Sequence, residues 1–312
     1  MKQREIFVSV IIPNYNHARY LDKRIRSILN QTYQDIEIII LDDKSTDDSR
    51  KVIEEYRKHP KVSHIIYNEE NSGSTFKQWQ KGIALAKGEF VWIAESDDYC
   101  ETDLLISLIK QIQKHPTCVL AYALSQMVDQ QNRFVGNRIH KHRNHFLKGT
   151  RFIQRYMCCE NPVYNASSAI FSRKAALNIS PLYMDYKGAG DRLFWIEIAE
   201  KGDVAVINRP LNYFRQHPNK VTPQKTLDGT NLMEDKRTFD YLLNGQYLDN
   251  RFRRYLVKGY YMYLIQSTQL SDESIRRKVL EVWNDGKQVC FMQRLLGRIL
   301  VSLRYHGLYL YI

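Results

Sequence analysis

No apolar run in this 312-residue chain reaches the roughly 18 residues that a helix needs to cross a bilayer. No spanning helix is therefore expected. The opening MKQREIFVSVIIPNYN begins with charge, but its apolar run is short and lacks a small-residue cleavage site, which argues against a secretory leader. Cysteine is scarce. The five present, Cys100, Cys118, Cys158, Cys159 and Cys290, are an odd number without metal-site spacing, and adjacent Cys158 and Cys159 are poor disulfide partners. A reducing cytoplasm is the simplest compartment. Internal repeats and low-complexity tracts are missing, and no glycine-rich phosphate loop follows the first apolar run, where PNYNHARY stands instead. Acid is outnumbered: 34 Asp and Glu against 46 Lys and Arg leave a net charge of +12. That balance favours a polyanionic partner, whether nucleic acid, an anionic membrane surface or a phosphorylated substrate. Because the basic residues are dispersed rather than gathered on one stretch, nucleic acid is the weaker of these.

What is present is a chain with 44% hydrophobic residues, enough to fill a sizeable core. The runs IFVSVIIP (6–13), DIEIIILD (35–42), KVSHIIYN (61–68) and GEFVWIAE (88–95) read as buried strands. Between them, 18–31, 45–59 and 74–88 carry a helical period, the second opened by Ser45 with Asp48 three residues on, in the manner of a capping box. Alternation of this kind predicts an α/β fold with a mostly parallel sheet covered on both faces. Ligands then bind beyond the carboxyl ends of the strands.

Polar groups gather at those ends: Pro13-Asn14-Tyr15-Asn16, Asp42-Asp43 and Glu95-Ser96-Asp97-Asp98. Asp42-Asp43 is also ordinary turn chemistry, and Glu95 to Asp98 could be a solvated loop before the helix at 101–112. Three carboxylates within four residues repel one another unless something offsets the charge. A divalent cation with hard oxygen ligands, such as Mg²⁺ or Mn²⁺ carrying a diphosphate, would do so.

The series VSVIIPNYNHARYLDKRIRSILNQTYQDIEIIILDDKSTDDSRKVI, NSG and WIAESDDY resembles the nucleotide-binding half of family 2 glycosyltransferases of the GT-A fold, closely over about residues 5–125. The resemblance implies inverting transfer of a sugar from a nucleotide-diphospho-sugar, with a UDP-sugar the expected donor. The acceptor it implies is a hydroxyl of a glycan or lipid-linked molecule in bacterial surface polysaccharide synthesis. Pro13, Asn14, Tyr15, Asp42 and Asp43 would line the base and ribose pocket, with Asn71 and Gly73 near the nucleotide. Lys77 would either reach a phosphate or be a plain solvated lysine. The family's Asp-any-Asp metal motif reads Glu95-Ser96-Asp97 here, with Asp97 at the ligand position and Glu95 a longer substitute. Ser96 and Asp98 would serve the nucleotide. The metal is expected to be Mn²⁺ or Mg²⁺.

Further along, NPVYNASSAIFSRKAAL (161–177) and GAGDRLFWIEIAEKGDVAVIN (188–208) resemble the acceptor side. Asp191 takes the place of the family's general base, its alternative being a plain helix cap; Asp185 and Asp203 are lesser candidates. In NYFRQHPNKVT (212–222), His217 would approach the metal and Arg215 a phosphate. The basic stretch 137–149 reads as a charged loop. These parts predict a catalytic domain over 1–224, divided into a nucleotide-sugar half (1–125) and an acceptor half (126–224), then a helical extension over 225–312. The segment 287–312 is basic and amphipathic, suited either to a membrane interface or to packing on the domain. The oligomeric state is left open. A nucleotidyltransferase, or a non-enzymatic nucleic-acid-binding or scaffold protein, is the alternative to the transferase.

Overall fold

The computed structural model describes residues 5–137, 144–218, 221–284 and 290–305. The four β-branched runs form β1 (Val8–Asn14), β2 (Ile36–Asp42), β3 (Val62–Tyr67) and β4 (Phe90–Ile93), separated by α1 (Ala18–Leu29), α2 (Ser49–Glu55) and α3 (Thr75–Leu85). Every residue of β1 and β2 is buried, as strands covered on both faces require. Within them the polar pair Ser9 and Glu37 satisfies itself: Ser9 Oγ donates to Glu37 Oε1 at 2.6 Å, and the Lys87 N–H donates to the same oxygen at 2.8 Å. On α1, Tyr20, Leu21, Ile25 and Ile28 face inward together with Arg24, whose buried guanidinium lies 5.1 Å from the centre of the Trp92 ring. The capping box expected at Ser45 does not form. Helix α2 starts at Ser49, while Ser45 is drawn into the strand-end turn by bonds with Asp42 and Asn14.

The chain continues as β5 (Tyr99–Cys100), α4 (Leu104–Lys114), β6 (Cys118–Val128), β7 (Phe134–Asn137), β8 (His145–Leu147), α5 (Gly149–Phe152), β9 (Ala169–Ser172), α6 (Arg173–Ala176), α7 (Gly190–Ala199) and β10 (Asp203–Arg215). Of the basic stretch 137–149, residues 138–143 lie outside the described residues and 145–147 are β8. The sheet runs β3-β2-β1-β4-β9-β6-β10-β5, with β7 beside β6 and β8 beside β10. β1, β2, β3 and β4 pair in parallel, as do β6 and β10. β9 is inserted antiparallel to both β4 and β6, so the sheet is mixed with a parallel majority around β1. Strand order reverses between β1 and β4, the switch point at which such sheets open a crevice. The loops after β1, β2 and β4 all emerge there.

Two compact units arise. The first, Met1–Leu147, Val163–Ser180 and Glu197–His217, holds every strand; the second joins Lys148–Pro162, Pro181–Ile196 and Pro218–Ile312. The segment expected as an acceptor half is thus shared between them, and the helices beyond residue 224 belong with two earlier stretches. Those helices are α8 (Val221–Leu227), α9 (Thr230–Asn244), α10 (Arg251–Ser267), α11 (Glu273–Asn284) and α12 (Phe291–Tyr305). Trp283 anchors the second unit, stacking on Tyr261 at 4.3 Å between centroids and donating Nε1–H to Leu232 O at 2.7 Å. α12 packs on α10 where Gly259 and Gly297 meet; a Cβ on Gly297 would overlap the Gly259 carbonyl. One face of α12 thus packs on α10, a helix of the extension itself. The other leaves Phe291, Met292, Leu295 and Ile299 exposed. Among the described residues, no helix is long and apolar enough to cross a membrane.

Candidate active site

At the end of β1, Asn14 is buried and its Nδ2 donates to Asp42 Oδ2 at 2.8 Å and to Ser45 Oγ at 3.1 Å. Asp42 also accepts the Ser45 N–H at 2.9 Å, so it builds the turn. Asp43 is different. Buried at the floor of the neighbouring loop, it accepts from Asn68 Nδ2 (2.6 Å), Ser72 N (2.9 Å), Ser72 Oγ (2.7 Å) and Gln78 Nε2 (3.0 Å). Asn71 completes the ring: its Nδ2 donates to Asp43 O at 2.9 Å, and its Oδ1 accepts the Gly73 N–H at 2.8 Å. Sequence reasoning overlooked Asn68 and Gln78, whereas Ser72 lies within the Asn71-Ser72-Gly73 segment that it placed near the nucleotide. Pro13 is buried, Tyr15 is exposed on the rim, and Lys77 is exposed with Nζ 3.3 Å from Ser72 O. Asn16 (φ 56°) and Lys44 (φ 62°) hold the left-handed conformation, uncommon for residues other than glycine and concentrated at working loops.

The three clustered carboxylates take separate partners. Glu95 Oε1 accepts Trp79 Nε1–H at 2.9 Å, and burial, reinforced by the Asp97 charge, pushes its pKa up to about 8. Asp98 accepts from Asn165 Nδ2, Ser167 Oγ and the Arg215 N–H at 2.7, 2.7 and 3.0 Å. It ties the loop to the turn before β9. Asp97 Oδ2 lies 3.0 Å from His217 Nε2. With His17 these form a three-residue cluster whose donor atoms all lie within 4.8 Å of one another. His17 Nδ1 meets Ser96 Oγ at 2.8 Å, the kind of outer hydrogen bond that orients a metal-binding imidazole. One carboxylate and two imidazoles suit a divalent transition metal. Thus Asp97 and His217 come together as expected, and Glu95 stands apart because its longer side chain turns toward α3. His17 went unnoticed in the sequence, since it lies 80 positions before Asp97.

Arg215, expected to be open to phosphate, is buried. Its Nε donates to Asp97 O at 2.7 Å, and its terminal nitrogens reach Asp129 O (2.9 Å) and Asn132 Oδ1 (2.8 Å). It braces the loop between Glu95 and Asp98 through the Asp97 carbonyl.

Asp191 belongs to the second unit and stands inside the first turn of α7, not at its cap. Oδ2 accepts Asn161 Nδ2–H and Oδ1 accepts the Arg192 N–H, both at 2.8 Å. Burial raises its pKa to about 7, against the pull of these donors and the Arg192 charge. A carboxylate poised there suits a general base. Asp185 is exposed, and Asp203 is buried and accepts Thr117 Oγ1–H at 2.6 Å.

The sequence pattern described as glycosyl transferase family 2 matches residues 9–179. That is more than half of the chain, which belongs to this family. It is 32% identical over 219 residues to TuaG of Bacillus subtilis (strain 168), whose name assigns it to teichuronic acid biosynthesis as a glycosyltransferase; the match covers 70% of this chain and 82% of TuaG. Against two other curated relatives the chain spans only 35% and 19% of their length. The fold is that of TarS 1–349 from S. aureus, solved in complex with UDP: TM-score 0.66, 18% identity, covering 97% of this chain and 88% of the other. The mannosyltransferase PcManGT from Pyrobaculum calidifontis, solved with GDP-Man and Mn²⁺, is also similar: TM-score 0.57, 16% identity, covering 99% and 85%. The GT-A fold expected from the motifs is thereby established.

Proposed function

We propose that the chain transfers a sugar, with inversion, from a UDP-sugar to a hydroxyl of a glycan or lipid-linked acceptor in bacterial surface polysaccharide synthesis. The observation that carries this reading is the convergence of Asp97, His217 and His17, whose donor atoms all lie within 4.8 Å of one another. Asp43, the Asn71–Gly73 loop, Pro13 and Tyr15 receive base and ribose, and Lys77 reaches a phosphate. Asn14, Asp42, Ser96 and Asp98 hold these loops in place. Asp97, His217 and His17 would hold Mn²⁺ or Mg²⁺, which supplies positive charge to the departing diphosphate. Asp191 takes the acceptor proton as the hydroxyl oxygen bonds to the anomeric carbon and the bond from that carbon to the diphosphate oxygen breaks. TarS in complex with UDP, PcManGT with Mn²⁺ and the name of TuaG support the donor, the metal and the polysaccharide context.

Calorimetry with UDP tests this: binding is expected to need Mn²⁺ or Mg²⁺ and to fall at least about 10-fold in Asp97→Asn, which loses the charged ligand. Glu95→Gln keeps the affinity within about 3-fold, because Glu95 stands outside the cluster of Asp97, His217 and His17. Metal-independent UDP binding in the parental protein would overturn the metal reading.

We also place the protein on the cytoplasmic side of an anionic membrane. Among the described residues no cysteine is joined in a disulfide. The exposed apolar stripe of α12 is edged by exposed Arg294 and Arg298, the pairing that lets a helix lie in a negatively charged interface.

A further inference from the structure

The loop ahead of Asp191 is held by a residue far along the chain. Glu234, buried on α9, accepts the N–H of Lys187 at 2.5 Å, of Gly188 at 3.0 Å and of Ala189 at 2.8 Å. Three successive backbone N–H groups form a cradle for an anion, and here the protein fills it with its own carboxylate. Gly188 keeps the approach close: a Cβ there would meet the Asn231 amide oxygen and come within 3.1 Å of Lys225 Cβ. The next residue of α9, Asp235, pairs with Arg192 NH1 at 2.6 Å. Arg192 is buried, donates to Met157 O through Nε at 3.1 Å and NH2 at 2.5 Å, and bonds Tyr261 OH. Its backbone N–H is one of the two donors on the Asp191 carboxylate.

We infer that Glu234 and Asp235 are positioning residues for Asp191, gripping the chain on both of its sides. Neighbours on a helix point about 100° apart, so consecutive carboxylates can hold two different segments: Glu234 the three residues before Gly190, Asp235 the residue after Asp191. Charge-assisted bonds of this kind are short and directional. The loop therefore has little freedom to carry Asp191 off line. α9 thus acts as part of the transfer machinery, although it lies beyond the segment matched by the family pattern.

The inference rests on the reading of Asp191 as general base. Glu234→Gln tests it in the full-length protein, since the amide keeps the volume, loses the charge and can set an N–H against the loop donors. With Mn²⁺ and UDP-GlcNAc, or whichever sugar of a UDP-sugar panel the parental protein turns over, kcat is expected to fall about 10- to 100-fold, the size of effect a misplaced catalytic group produces. KM for the donor and Kd for UDP with Mn²⁺ should stay within about 2-fold of parental, because those contacts lie in the first unit. Amide hydrogen exchange at 187–191 should quicken, a readout that needs no substrate. Asp235→Asn should move kcat the same way. A lower Tm with parental kcat and parental exchange at 187–191 would make Glu234 purely structural and overturn the inference. Asp191→Asn is run alongside. Should it transfer at close to the parental rate, the base reading fails and this inference with it; should it be inactive while Glu234→Gln is unimpaired, only the positioning role falls.

Discussion

At Asp191 a single side chain links burial to chemistry. Its pKa rises from 3.8 to about 7 because burial penalises the charged form. A base works only when ionised, so kcat is expected to climb about 10-fold per pH unit below 7 and to level above it. In Asp191→Asn transfer should drop at least about 10²-fold, and that limb should disappear. The shift has a stability consequence of opposite sense. The folded protein holds this proton more tightly than the unfolded chain, so the group favours folding at pH below about 4, and that contribution is lost as pH rises through about 7. A Tm-pH profile of the parental protein should fall across this window more steeply than that of Asp191→Asn. Equal slopes would show that Asp191 titrates as an ordinary surface acid. Glu95, Asp97 and Asp98 crowd within four positions, and each takes a different neighbour, Trp79, His217 and Asn165 respectively.

Among elements, the α10–α12 pair is the most exposed to a single substitution. Gly259 and Gly297 let two backbones touch, and any side chain at 297 must push the helices apart. Overpacking of this kind costs about 1–3 kcal/mol, so Gly297→Val should lower Tm by at least about 2 °C in a chain of this size. UDP binding with Mn²⁺ should be retained. A variant that melts with the parental protein would show that α12 leaves α10 readily. In the first unit, α1 shows how an element brings residues to the site: His17 stands just before its first turn and Tyr20 faces inward, with its ring centroid 5.8 Å from that of His217.

For the whole molecule, the net charge of +12 and the α12 stripe bear on where the enzyme works. Phe291 is 77% exposed, and Met292, Leu295 and Ile299 lie on the same helix with Arg294 and Arg298. The protein should sediment with phosphatidylglycerol vesicles and only weakly with phosphatidylcholine vesicles. Salt at 0.5 M should release much of it, since the screening length is about 10 Å at 0.1 M and shorter above that. The double variant Phe291→Ser, Ile299→Ser should bind several-fold less, as each large apolar side chain contributes roughly 1.5–3 kcal/mol when buried. Undiminished vesicle binding in that variant rules the stripe out as the contact; a changed oligomeric state instead would assign the face to a second copy of the chain.

The local pattern of the sequence was enough to foresee β1 to β4, their alternation with helices and the polar residues at their ends, because strand period, β-branching and turn residues act over a few positions. The resemblance to family 2 glycosyltransferases singled out Asp97, His217 and Asp191 as candidates. Tertiary structure alone decided the rest. The antiparallel insertion of β9 between β4 and β6 depends on pairing across distant segments, which no local period encodes. Glu95 reads as a metal carboxylate in the motif, yet Trp79 and the buried surroundings of its carboxyl claim it. His17 joins Asp97 and His217 only when β1, β4 and β10 lie in one sheet. Glu234 reaches the loop before Asp191 across 45 to 47 positions of chain. Such contacts come from how whole elements pack, and the few residues around each partner carry no trace of them.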